Sequence, residues 1–85
     1  MNAHVGVMYI AAGGVVGEHQ ASGDQLFMVV QGSGWVAGED HQHRNISSGQ
    51  AAFWREGDWH EAGSEAGMSV VIVEAEDLQP ILEEI

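Results

Sequence analysis

The chain contains no cysteine and no lysine, and its only proline is Pro80. Without cysteine there are no disulfides and no thiolate metal ligands. A metal must therefore sit on His, Asp, Glu or Gln side chains. Cations are scarce as well: Arg44 and Arg55 stand against 13 acidic residues, for a net charge of −11. Such a surface excludes nucleic acid and anionic membranes as partners, because phosphate contacts require a basic one. No segment approaches the roughly 20 apolar residues of a membrane span. The opening Met1-Asn2-Ala3-His4 has no basic stretch leading into an apolar run. No signal peptide is read there, and the cytoplasm is the expected location. Asn45-Ile46-Ser47 fits the N-glycosylation pattern, and without export it is a chance match.

What the chain does have is glycine, twelve in 85 residues. The length sets one domain over residues 1–85. A chain this short buries only about 60–65% of its unfolded surface and is marginal alone. Disulfides, a metal or association are the usual remedies. With disulfides excluded, a homodimer is expected. The glycines separate short runs rich in β-branched and aromatic residues, at 5–12, 25–31, 35–37, 50–54 and 68–75. That spacing is the pattern of an all-β barrel or sandwich, in which Gly32-Ser33-Gly34 reads as a turn. Some runs are apolar on both parities. Leu26, Met28 and Val30 would share one face, and Phe27 and Val29 the other. A strand covered on both sides explains this: one face lines the interior, the other meets a second sheet or subunit. In the tail, Leu78, Ile81, Leu82 and Ile85 follow helical spacing. They predict a short amphipathic helix at about 80–85, with Pro80 in its first turn.

Two histidines stand in matching glycine frames. The first frame runs Gly13, five residues, His19, one residue, Ala21, three residues, Gln25, six residues, Gly32. The second runs Gly49, five residues, Arg55, one residue, Gly57, two residues, His60, three residues, Ser64. These spacings resemble the paired motifs of the cupin superfamily, G-X5-H-X-H-X3-4-E-X6-G and G-X5-P-X-G-X2-H-X3-N. Four typed positions differ: Ala21, Gln25, Arg55 and Ser64. The resemblance, which is to small single-domain cupins, implies a jelly-roll-like double-stranded β-helix barrel, often dimeric. It also implies a divalent metal (iron, manganese, nickel, copper or zinc) at four inward positions. Here those positions hold His19, Ala21, Gln25 and His60. Alanine cannot ligate, and a two-His-one-carboxylate iron site would lack its anion. What the resemblance implies is thus one weakly held divalent transition metal on His19, Gln25 and His60.

The neighbours do not supply the missing carboxylate. Glu18, Asp24 and Glu61 each adjoin an inward position and should point outward on regular strands. Asp58 shares the parity of His60 but lies near a turn. Gln25 has a second reading, a hydrogen bond that fixes an imidazole tautomer. Phe27 shares the parity of Gln25 and is expected to line the pocket. Trp35, Phe53, Trp54 and Trp59 are expected to be structural. Arg55 is expected to pair with a nearby carboxylate. His41-Gln42-His43 has metal-like spacing but reads as an exposed hairpin tip, and His4 as an edge residue.

Three functions stay open. The first is a cupin that binds a small organic ligand through His19, Gln25, His60 and Phe27. The second is a metal-dependent oxygenase or isomerase of small acids or sugars. The third is a metal-free oligomerisation or regulatory module. The sequence has no nucleophile triad, phosphate loop or dinucleotide fingerprint, and it identifies no catalytic residue.

Overall fold

The computed structural model describes residues 3–76. The helix expected at about 80–85 lies outside them. Seven strands follow one another: β1 (Ala3–Ile10), β2 (Gly14–Gln20), β3 (Asp24–Ala37), β4 (Arg44–Ser47), β5 (Ala51–Trp54), β6 (Trp59–Ser64) and β7 (Met68–Ala75). All pairings are antiparallel. The strand order is β1-β7-β3-β6-β2, with β4 and β5 also paired to β3. Among the described residues no helix is long and apolar enough to cross a membrane.

The organising element is β3. Its first half pairs with β5 and β7, its second half with β4 and β6. One long strand therefore belongs to both layers and curls the sheet into a barrel. Gly32-Ser33-Gly34 is not a turn but the corner inside this strand. The register shifts between Val29 and Gln31 just before it, and Gly32 has a φ of 85°. A Cβ on Gly32 would collide with the Gly67 carbonyl. A strand corner and a hairpin turn both demand glycine, so the sequence alone does not separate them. Ser64 holds the corner: its buried hydroxyl donates to the Ser33 carbonyl and accepts from the Gly67 amide at 2.8 Å.

The core gathers Ile10, Phe27, Val29, Val36, Ile46, Trp54, Ala62, Met68 and Val70. Each large side chain among them contributes about 1.5–3 kcal/mol by leaving water. Of the two faces of β3, Phe27 and Val29 point inward; Leu26 and Met28 are half-buried outside, and Val30 is exposed. On β1, Ile10 is buried, while Val5, Val7 and Tyr9 keep 70%, 77% and 67% of their surface in solvent. Cross-strand register aligns Val5, Val73, Leu26 and Phe53 in one outer row and Val7, Val71, Met28 and Ala51 in the next. Neither row contains a charged side chain. The back of the β2–β6 layer differs, carrying Glu18 and Glu61.

Candidate functional site

Strands β2 and β6 bring the two frame histidines together. His19 is the direct cross-strand partner of His60, and the ring centroids lie 4.2 Å apart at 59°. The pairing depends on an irregularity. Val16 pairs with Ala62 and His19 with His60, so two residues of β2, Gly17 and Glu18, oppose Glu61 alone. Val16 packs inward on the core. On a regular strand His19, three residues on, would face outward. The bulge re-aims it toward His60 and turns Glu18 to the outside.

His60 is buried, 3% exposed, whereas His19 is exposed at the barrel mouth. The Nδ1 of His19 lies 2.8 Å from the Gly17 carbonyl, and the Nδ1 of His60 lies 3.3 Å from the Asp58 carbonyl. A carbonyl only accepts, so both Nδ1 atoms carry a proton, and in a neutral ring the Nε2 then presents a lone pair. Among the described residues, the Nε2 of His60 is buried without a hydrogen-bond partner. Burial pushes the His60 pKa below the ordinary imidazole value. The Asp58 carbonyl opposes this in part, and the nearby His19 adds to it. His60 is therefore a neutral imidazole at pH 7.

The walls are aromatic. Trp54 stacks on His60 at 4.4 Å and 21°, and Phe27 meets Trp54 edge-on at 5.6 Å. Phe27 thus joins this stack through Trp54 rather than through an imidazole. Gln25 is buried and directly opposite Trp54 across the β3–β5 pair. Among the described residues no hydrogen bond joins Gln25 to either ring; the backbone carbonyls fix both tautomers. Ala21 is buried, and a methyl stands where the family pattern has a third imidazole.

This donor set fits a metal only in part. Two imidazoles, one with an orphaned Nε2, suit a Lewis acid or a hydrogen-bond donor, but the acidic charges that reach His60, those of Asp58 and Glu74, act on it weakly, and the Glu74 carboxylate accepts from the Ser22 hydroxyl at 2.6 Å. Asp24 is buried, with Oδ1 accepting from the Glu56 amide at 2.9 Å and Oδ2 from Arg55 Nη1 at 3.3 Å. The Asp58 carboxylate accepts from the Arg55 amide at 2.9 Å. Arg55 pairs with a carboxylate as expected, and it also covers the Phe53 ring at 4.9 Å.

Outside the same strand pair lies a second group. Glu18, His41 and Glu61 place one ligand atom each within 4.8 Å of one another, a separation from which three side chains can hold a metal. The tip with metal-like spacing is exposed, as expected, and its His41 ring leans on the outer face of the sheet at Glu18. A separate open cleft of about 480 Å³, lined by Ser33, Trp35, Asn45, Ser47, Gln50 and Glu65 among others, touches neither group.

No protein-family model and no curated protein matches the chain. Solved structures do. A cupin superfamily protein from Desulfitobacterium hafniense superposes with a TM-score of 0.81 at 17% identity, over 88% of this chain and 68% of that one. The chain has the cupin fold. An RmlC-like cupin with a double-stranded β-helix from Methanocaldococcus jannaschii gives 0.80 at 12% identity, over 87% and 70%. The DMSP lyase DddQ of Ruegeria pomeroyi gives 0.81 at 20% identity, over 92% of this chain but only 40% of the lyase. Cupin-fold neighbours thus include an enzyme.

Two features escaped the sequence. Trp54 was expected to be merely structural, yet it stacks on the buried imidazole. Adjacent Phe53 and Trp54 in a four-residue strand leave open which ring turns inward. The Glu18–His41–Glu61 group joins residues from three segments. Its sequence traces are the metal-like spacing of His41-Gln42-His43 and the position of Glu18 and Glu61, each beside an inward histidine.

Proposed function

We propose that this small cupin binds a small organic molecule at the mouth of its barrel, with His60 and His19 as polar anchors and Trp54 and Phe27 as apolar wall. The observation that carries this reading is the buried Nε2 of His60, a hydrogen-bond acceptor with no partner. Leaving such a group unsatisfied costs about 1–3 kcal/mol, which a bound donor would recover. With the Nε2 of His60 as an acceptor and a net charge of −11, the ligand is neutral or cationic and carries hydroxyl or N–H donors. Gln25 supplies a further amide for orientation. His19 and His60 with Gln25 would also hold a divalent transition metal weakly; bound there, it would act as a Lewis acid on the ligand.

A homodimer belongs to the same reading. The uncharged rows around Val7 and Val71 are a face on which a second copy of so acidic a chain can approach without meeting carboxylates. Val7→Glu should leave the fold intact and shift the molecular mass in light scattering to that of a monomer. A Val7→Glu protein with unchanged mass would reject this face.

The binding test is a thermal-shift screen of neutral and cationic polyols, amines and amides. A stabilising compound whose effect disappears in His60→Leu supports the reading. Stabilisation unchanged in His60→Leu, or no shift with any compound class or metal, would sink it.

A further inference from the structure

The outer group has the composition that the barrel lacks. Glu18 lies in the β2 bulge, Glu61 stands beside His60 on β6, and His41 reaches them from the β3–β4 connection. His41 Nδ1 lies 2.8 Å from Glu18 Oε2, and the three ligand atoms stay within 4.8 Å. Zinc bonds of about 2.0–2.1 Å in tetrahedral array put neighbouring ligand atoms about 3.3 Å apart, inside that spread. His43 approaches Glu61 from the other side, Nε2 to Oε1 at 3.9 Å. Its ring is held by a parallel stack on Trp35 at 3.7 Å and 4°. The other acids of the connection are already committed: Glu39 accepts from the Trp59 amide at 2.8 Å, and Asp40 pairs with Arg44 at 2.9 Å.

We infer that Glu18, His41 and Glu61 form a divalent-metal site on the outside of the β2–β6 layer, suited to zinc, with His43 as a positioning residue for Glu61. Two carboxylates and an imidazole are the borderline, oxygen- and nitrogen-bearing set that zinc accepts, and open positions remain for water. Two facing carboxylates in a chain of net charge −11 also repel each other, which a dication relieves. A bound ion would staple the β3–β4 connection to strands β2 and β6. A cysteine-free domain of this size has few other staples.

The test is titration of zinc alone into untagged, chelator-stripped protein, read by calorimetry and by thermal shift. One ion per chain should bind, raise the melting temperature, and bind equally well in the double variant His19→Ala/His60→Ala. Glu61→Gln and His41→Ala should each weaken binding more than His43→Ala. The latter should lose about tenfold, the lower end of what removing a supporting neighbour costs. Circular dichroism of the metal-free variants confirms folding, since His41 and His43 are exposed and Glu61 is half-buried. The proposal is overturned if zinc affinity is unchanged in both Glu61→Gln and His41→Ala. It is also overturned if zinc is lost in His19→Ala/His60→Ala, which assigns the ion to the barrel, or if binding saturates only at millimolar zinc.

Discussion

The β2–β6 pair carries imidazoles on both of its faces, and the two faces differ in everything except residue type. Inside, His19 and His60 meet at 4.2 Å beside Trp54, and burial outweighs the charges of Asp58 and Glu74 on His60. Outside, His41 and His43 meet Glu18 and Glu61. The inner imidazole of His60 is desolvated and kept neutral, so it offers a lone pair to a neutral donor. An outer imidazole sits in water beside an anion, where a cation completes the charge. Strand alternation produces both at once: Glu18 and Glu61 are outside because His19 and His60 are inside.

The comparison breaks most visibly at the stacked indoles. Trp54→Ala opens a cavity beside His60 and should lose about 3–5 kcal/mol, a large share of what a domain this small possesses at about 0.05–0.15 kcal/mol per residue. Trp35→Ala removes the half-buried partner of His43 and should lose about 1–2 kcal/mol, nearer the average substitution. Urea midpoints of the two variants check the order; equal losses would mean that the inner stack is not special.

A smaller effect of opposite sign is expected at the inner imidazole. His60→Leu removes an unpaired buried acceptor and should stabilise the free protein by about 1 kcal/mol, a rise of about 4–8 °C in Tm. A loss of stability in calorimetry would show that the imidazole serves packing rather than binding. The pH dependence sharpens this point. Because burial depresses the His60 pKa, the unfolded chain takes up a proton before the folded one as pH falls below about 6.5. Stability present above that value should therefore decline with acidification until the folded-state pKa is reached. Melting curves between pH 7 and 5 should show this decline in the wild type and a shallower one in His60→Leu. Smallest of all, His41→Ala in metal-free protein should change stability by no more than about 0.5 kcal/mol. A larger change would mean that the β3–β4 connection is held by the His41–Glu18 contact without any ion.

Much of the fold was legible from local signals. Every frame glycine, Gly13, Gly32, Gly49 and Gly57, has a φ between 80° and 90°, so the spacing pattern registered real backbone demands. Phe27 is buried with Gln25, as their shared parity required, whereas Asp24, expected to point outward, is buried as well. Strand parity failed where the strand is irregular. Gly32-Ser33-Gly34 read as a turn because nothing local distinguishes a corner from a hairpin. His19 reached its partner through a bulge that no periodicity reveals.

The sequence by itself determined the all-β class, the acidic surface, the absence of thiol chemistry and the pairing of two histidine frames. Each of these depends on composition or on spacing along the chain. Only the tertiary structure decided that His60 is buried with one nitrogen unpaired, that Trp54 rather than Phe27 stacks on it, and that His41 returns to meet Glu18 and Glu61. Those relations join residues from segments far apart in the chain. They are set by the bulge in β2 and the corner in β3, which fix where strands meet and which side chains face one another.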